Sequence, residues 1–476
     1  MADAPGTTDD PVEGHPLPGD AVLELLRGWL PHQRWFPAKG TSGGIERVAV
    51  IDLVDPLGEA EVRLELLRLP GGGLLHVPVT LRTDDGTPRP GTLGVVPGVP
   101  GATGAPGVAA GTTGPAGSAT VVVDGCHDEA FLRAWFAAAT RDTASGMPSD
   151  VDLTGMKVAG GEQSNTSVFL PAASPPAILK VFRGISPGAN PDVDVPLALS
   201  HAGWGGVPRP LAWLTGSWPA AEGTERQVGH LGVLSELVVG AQDGFELACR
   251  RAGEGADFGD LAEDLGRTTA QMHHALRTAL PVAPAEDAGA AGPHVRAAEG
   301  VLATLRDRAA AAVAAAPVLA ERAPAIDRVL AEVEHVRPLP PLQRVHGDFH
   351  LGQVLRSDRG WAVLDFEGEP QAPTAERTRP DLALRDLAGM LRSIDYAAAV
   401  GGSTSPEWSA QARRRLVEGY HREDEGPGGA GTATDVLLRA LELDKALYEV
   451  VYESRNRPTW LPIPLAAVDR LLTDPA

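Results

Sequence analysis

Residues 345–370, Val-His-Gly-Asp-Phe-His-Leu-Gly-Gln-Val-Leu-Arg-Ser-Asp-Arg-Gly-Trp-Ala-Val-Leu-Asp-Phe-Glu-Gly-Glu-Pro, constrain this chain more than any other stretch. They crowd His346, Asp348, His350, Gln353, Asp365 and Glu367 together, interrupted by two apolar runs, Val354-Leu355 and Trp361 to Leu364. Ser357-Asp358-Arg359-Gly360 separates the runs, so the pattern predicts a loop feeding a β-hairpin. Such a hairpin holds Asp348 and Gln353 on one side and delivers Asp365 from the end of its second strand. A carboxylate and an amide oxygen meeting in one place suit a hard cation such as Mg²⁺, and a further Asp can orient a hydroxyl for attack on phosphorus.

The chain around this stretch has 476 residues, enough for two or three domains. Only Cys126 and Cys249 are present, far apart in sequence, which argues against a disulfide framework or a zinc cluster and fits a reducing cytoplasm. No apolar run is long enough to span a bilayer, and the acidic N-terminus lacks the apolar stretch of a signal or anchor. A formal net charge of -21 argues against a nucleic-acid backbone as partner, since such binders need a basic face, and leaves room for a nucleotide at a local basic or Mg²⁺-bearing site. The expected partner is therefore a small molecule, with no nucleic acid and no membrane.

In chain order, residues 1–18 read as a disordered lead. A helix from Asp20 to Leu30 and strands at Ile45–Leu53, Ala60–Leu69 and Leu74–Leu81 predict an antiparallel unit. Residues 98–118, rich in Gly, Ala, Pro and Thr, read as a surface loop. A helix from Asp128 to Thr140 closes this first unit. Val151–Leu170 reads as strand, turn, strand, and Ala177–Phe182 as a strand with Lys180 among apolar neighbours. Leu231–Val239 is a further strand, and helices are expected from Asp243 onward, over 259–276, 295–319 and 381–399, and from Thr434 to Asn456.

Lysine occurs only at 39, 157, 180 and 445. A lysine inside an apolar strand is costly unless its ammonium meets an anion. Taken alone, Lys180 is read as a snorkelling edge residue. Joined to Asp348 in a loop, Gln353 five positions on and Asp365 after the next strand, it supplies the parts of phosphoryl transfer in the order that kinases use. Asp194 or Asp192, following Asn190-Pro191, is the expected partner of Lys180. His346 is read as setting the loop, and His273-His274 as a pair on a helix surface.

His346-Gly347-Asp348-Phe349-His350 with Gln353, and Leu364-Asp365-Phe366-Glu367-Gly368-Glu369-Pro370, resemble the aminoglycoside phosphotransferase and choline kinase superfamily. Glu162-Gln163-Ser164-Asn165-Thr166-Ser167, Ile178 to Arg183, Leu384 to Ser393, Leu443-Asp444-Lys445-Ala446 with Tyr448-Glu449, Asn456-Arg457-Pro458 and Trp460 to Pro464 narrow the resemblance. They are similar to actinobacterial maltokinases and their glucosamine kinase relatives. The resemblance implies an α+β, bilobal, eukaryotic-protein-kinase-like fold preceded by an N-terminal cap domain. The boundaries expected are 19–140 for the cap, 141–240 for the nucleotide lobe and 241–476 for a helical lobe with the catalytic loop and sugar site.

It further implies ATP and Mg²⁺ as cofactors, with Asp348 as catalytic base and Gln353 and Asp365 as metal ligands. Lys180, Gln163, Ser164, Asn165, Asp194 and the Glu236–Val238 hinge would serve the nucleotide. Gln353 stands where many superfamily members carry Asn, with the same amide oxygen. The acceptor is expected among Asp348, Arg385, Glu449, Tyr452, Glu453, Asn456 and Trp460. A carboxylate beside the acceptor suits the ammonium of an amino sugar. Gly244-Phe245 in place of Gly-Trp, a shorter segment between Glu246 and Asp260, and Val123-Asp124-Gly125-Cys126-His127-Asp128 favour glucosamine to glucosamine 6-phosphate over maltose to maltose 1-phosphate. An aminoglycoside phosphotransferase and a pseudokinase scaffold are the remaining alternatives, the last disfavoured because Lys180, Asp348 and Asp365 are all present.

Overall fold

Alternating apolar residues fill the first half of the chain and helix-period stripes the second. The computed structural model divides along the same line. It describes residues 10–17, 19–37, 44–97, 119–148, 150–160, 164–221, 225–281, 293–336, 339–368, 379–423 and 432–473. Two compact units emerge, Met1–Asp194 with Arg209–Leu237, and Val195–Pro208 with Val238–Ala476.

The first unit is built on two sheets. One contains β2 (Glu46–Val54), β3 (Glu61–Arg68), β4 (Leu74–Thr83), β5 (Thr92–Val96) and β6 (Thr120–Asp124), in the order β2-β3-β4-β6-β5. Helix α1 (Ala21–Trp29) buries Val22, Leu23 and Leu26 with Leu67, Val77, Val79 and Leu81 of this sheet. Asp20 caps the helix by accepting from the Leu23 N–H at 3.0 Å. Helix α2 (Glu129–Ala138) places Phe131, Leu132 and Trp135 in the core that holds Ile51, Leu53, Val62 and Leu64.

The second sheet runs β1 (Val12–Glu13), β12 (Pro210–Pro219), β13 (Arg226–Glu236), β10 (Ala177–Phe182), β9 (Asn165–Leu170) and β8 (Lys157–Val158), with β7 (Thr140–Arg141) beside β12. Residues 12–15 therefore depart from the expected disordered lead. Val12–Glu13 pairs in parallel with Gly216–Ser217, and the Gly14 N–H donates to Ser217 O at 2.7 Å. Backbone pairing needs no apolar pattern, which is why a Pro- and Gly-rich stretch hid it. Val151–Met156 forms turns rather than the expected strand, leaving only Lys157–Val158 to pair with β9. The 98–118 loop lies outside the described residues.

The expected boundary near residue 140 is bridged by a buried charge. Arg183, at the end of β10, donates to Asp124 Oδ2 at 2.8 Å, to Cys126 Sγ at 3.3 Å and to Thr166 Oγ1 at 2.8 Å. Its guanidinium lies 4.5 Å from the Trp35 ring centroid. The first sheet and the second thus share one ion pair within the first unit. β11 (Gly184–Ile185), which pairs with β4, carries the chain from one sheet to the other.

The second unit is mainly helical: α4 (Gly244–Glu254), α5 (Gly259–Ala279), α6 (Pro293–Ala315), α7 (Ala323–Glu332), α8 (Leu384–Val400), α9 (Pro406–Glu423), α10 (Thr432–Asn456) and α11 (Pro462–Thr473). Helix α3 (Pro191–His201) precedes them in the chain. α7, α9 and α11 are helices that the sequence pattern did not announce. Close approach of α5 and α9 is made possible by Gly266 and Gly419, whose added Cβ atoms would lie 2.0 Å from Leu416 O and Glu263 O. The expected hairpin is present as β15 (Val354–Ser357) and β16 (Gly360–Val363), with β14 (Gln242–Asp243) on the other side of β15. Among the described residues, no helix is long and apolar enough to cross a membrane.

Candidate active site

His346, Gly347 and Asp348 form a loop that is held from below by Asp386 of α8. Asp386 is buried, and its carboxylate accepts from the N–H of His346 at 2.8 Å and of Gly347 at 2.9 Å. His273 of α5 reaches the same carboxylate at 3.1 Å and meets the Tyr420 hydroxyl at 3.0 Å through its other nitrogen. Burial pushes the Asp386 carboxyl up, but the His273 bond and the backbone donors outweigh it and hold it below the usual range. His273 is thus a buried strut of the loop and not a surface residue, whereas its neighbour His274 is exposed. The His346 ring packs beside Phe349 and Phe366, and its Nε2 lies 2.8 Å from Leu364 O, tying the loop to the hairpin.

Asp348 projects from this loop with its side chain 21% exposed. Its Oδ1 lies 3.5 Å from the Lys445 ammonium, and its Oδ2 lies 4.0 Å from His350 Nε2. Burial lowers the pKa of His350, which favours its neutral form. At the far end of the hairpin Asp365 adopts a left-handed backbone, φ 64°, rarely populated by residues other than glycine. That turn brings its Oδ2 to 3.1 Å from Gln353 Nε2. Gln353 turns its amide nitrogen to Asp365 in this contact; its amide oxygen and the Asp365 carboxylate are ligand types that Mg²⁺ takes.

In the first unit, β10 places Lys180 between the buried Leu179 and Val181, and its Nζ meets Asp192 Oδ2. The ion pair is thus made by Asp192, the alternative to Asp194, with both in the first turn of α3. Asn165 is buried and accepts from the Arg183 N–H at 3.3 Å, while Ser164 is exposed. Gln163 lies outside the described residues. Arg34 donates to Gly160 O at 2.9 Å, linking the cap to the start of the same turn. Glu236 ends β13 paired with Arg209 at 2.7 Å, and Val238 follows half-buried.

The acceptor candidates separate into two groups. Arg385 is bound to Asp381 and, at 2.8 Å, to Asp444, so it belongs to a structural network that also includes Arg308. Arg392, seven residues further along α8, is the arginine that reaches Glu449, at 2.8 Å. Glu453, one turn on, is 1% exposed and receives Tyr396 OH at 3.1 Å and Arg457 Nη2 at 2.6 Å. Arg457 in turn lies 4.3 Å from the Trp460 ring centroid and 5.3 Å from that of Tyr452. Asn456 is exposed and donates to Tyr452 O at 2.9 Å, closing its own helix. Arg392, Asp386 and Lys445 lie in segments that carry the resemblance but were read without a role of their own, and Tyr396 lies outside those segments. The seven-residue interval from Arg385 to Arg392, two helical turns, was the available signal for the first.

Burial raises the Glu449 pKa, opposed by the positive charges of Arg392 and Lys445. Near Asp348 helix α10 thus carries Glu449 backed by Arg392, with Glu453 buried behind it against Tyr396 and Arg457.

Residues 29–128 match the model of the maltokinase N-terminal cap domain, and residues 156–430 that of the phosphotransferase enzyme family. The chain is 32% identical over 297 residues to a glucosamine kinase of Streptacidiphilus jiangxiensis, a match spanning 58% of this chain and 64% of that protein. It is 28% identical over 328 residues to a glucosamine kinase of Mycolicibacterium smegmatis, covering 66% and 78% of the two chains. Among solved structures, a glucosamine kinase in complex with glucosamine, ADP and inorganic phosphate superposes with a TM-score of 0.62 at 25% identity, covering 94% of this chain and 98% of that one. A kinase-like fold of mixed helices and sheets, a capped N-terminus and a loop that carries Asp348 make this chain a member of the phosphotransferase enzyme family with a maltokinase-type cap domain.

Proposed function

We propose that the protein is a glucosamine kinase, transferring the γ-phosphoryl group of ATP to glucosamine to give glucosamine 6-phosphate, with Mg²⁺ as metal cofactor. The observation that carries the choice of acceptor is Glu449, whose side chain is 13% exposed on the helix whose Lys445 lies 3.5 Å from Asp348. A carboxylate there suits an ammonium or sugar hydroxyls, and Trp460 and Tyr452 offer faces for a pyranose ring. The glucosamine kinases of the two actinobacteria support the same reading.

In this mechanism Asp348 accepts the proton of the acceptor hydroxyl as its oxygen bonds to phosphorus and the bond to ADP breaks. Lys180, steadied by Asp192, neutralises charge on the nucleotide phosphates. Gln353 and Asp365 would hold Mg²⁺, which supplies charge neutralisation to the phosphates when bound. Glu236 to Val238 would meet the adenine. The two-cysteine, uncapped-thiol composition fits a reducing cytoplasm.

Maltose to maltose 1-phosphate is the second reading, favoured by the cap-domain match. Purified protein given ATP, Mg²⁺ and a panel of glucosamine, maltose, glucose and an aminoglycoside distinguishes them by ADP release. Glucosamine should give the highest kcat/KM. Preference for maltose reverses the assignment, preference for the antibiotic replaces it, and absence of turnover with every compound removes the enzyme reading.

A further inference from the structure

Lys445 is the one lysine in the sequence of the second unit, and its ammonium has a defined setting. It is 3.5 Å from Asp348 Oδ1 and 5.4 Å from the Tyr448 ring centroid, and Glu449, which it stabilises electrostatically, follows one turn along the helix. Its side chain is 28% exposed. An isolated lysine of that exposure gains little from a single carboxylate, because ordering its long stem offsets most of the attraction. Here two carboxylates and an aromatic face act on one ammonium, a combination that fixes the head group.

The consequence falls on Asp348. Lys445 engages Oδ1, whereas His350 Nε2 stands 4.0 Å from Oδ2, beyond hydrogen-bond range. His350 Nδ1 lies 3.1 Å from the Gly352 N–H and accepts from it, so the neutral ring carries its proton on Nε2. The two oxygens of the carboxylate are thereby made unequal. A base that must meet a hydroxyl in one orientation works best when rotation about its carboxyl bond is suppressed.

We propose that Lys445 is a positioning residue for the transfer: it pins Asp348 through Oδ1 and so presents Oδ2 to the acceptor hydroxyl. This rests on the reading of Asp348 as the base. The proton moves from the hydroxyl to Oδ2, the new oxygen–phosphorus bond forms as the bond to ADP breaks, and Lys445 keeps its own protons throughout. Its role is geometric and electrostatic.

The test compares wild type, Lys445→Met, Lys445→Arg and Asp348→Ala, each checked by circular dichroism and thermal unfolding. Lys445→Met should lower kcat about 10- to 100-fold, while KM for ATP and for the sugar stays within about twofold. Lys445→Arg, which keeps a cation near Oδ1, should recover kcat to within about fivefold of wild type. An unchanged kcat in Lys445→Met, with Asp348→Ala inactive, overturns this inference and leaves the kinase reading standing. A raised KM for ATP at constant kcat overturns it in favour of a phosphate-binding lysine. A lowered melting temperature in both Lys445 variants, matching their loss of activity, overturns it in favour of a role in folding. A wild type that turns over no sugar overturns both readings.

Discussion

Asp348 and Asp386 differ in their place in the loop, one partly exposed and one buried beneath the backbone. Replacing Asp348 with Asn should lower kcat by about 100-fold or more, without change in melting temperature, because the group is partly solvated and supports little of the fold. Steady-state ADP release and thermal unfolding measure the two quantities. Asp386→Ala should do the opposite in emphasis. It strips the acceptor from two backbone N–H groups and from His273, and buried donors left unpaired cost about 1–3 kcal/mol each. A loss of about 2–4 kcal/mol in urea unfolding, accompanied by a fall in kcat, is the expected result. The contrast also explains what was legible in the sequence. Asp348, Gln353 and Asp365 lie within 18 positions of one another and interrupt apolar runs, so their chemistry shows in local spacing. Asp386 and His273 are 113 positions apart, and each alone resembles an ordinary polar residue on a helix. Only packing reveals that both are buried.

Helices add constraints that single residues do not show. Gly389 on α8 faces the loop that carries Asp348 so closely that a Cβ would stand 2.6 Å from Phe349 O. Gly389→Ala should therefore displace the residue next to Asp348, and the expected outcome is a larger loss of kcat than of stability. Kinetics alongside chemical denaturation test that ordering. Gly419→Ala, where a Cβ would meet Glu263 O at 2.0 Å, should instead separate α5 from α9 and lower stability by about 3 kcal/mol. α9 was missed because its face is largely charged, and α11 because Pro462 and Pro464 resemble a stop signal. Prolines in a first helical turn remove no needed donor, so they start α11. The cluster on α10 was half legible for a related reason. Glu449 and Glu453 share a face of α10 by simple periodicity, whereas Arg392 and Tyr396 arrive from α8 and depend on tertiary packing.

For the whole molecule, acid should act on the two units through different groups. His76 of the first unit is held neutral by burial, its pKa lowered from 6.5 to about 4. Between those values the unfolded chain binds the proton that the native chain refuses, so stability falls as pH drops, by about 3 kcal/mol in all. In the second unit burial pushes Glu442 up, but Arg413 and Arg470 outweigh it and bring it from 4.5 to about 2. That carboxylate contributes stability fully above pH 4.5, and the contribution is lost as pH falls toward 2. Urea unfolding at pH 7, 5 and 3 should show the first decline before the second, and His76→Gln should flatten only the first.

Arg183 bears on how such a chain can be handled and how it can have been assembled. The stretch near residue 140 looks like a joint at which a cap could be removed or exchanged, yet a guanidinium rooted in one sheet is neutralised by Asp124 in the other. A fragment that begins after the cap leaves this guanidinium without its carboxylate, and a grafted cap must bring its own acid to the same spot. Recombination between relatives at this seam is therefore viable only when both halves of the pair are exchanged together.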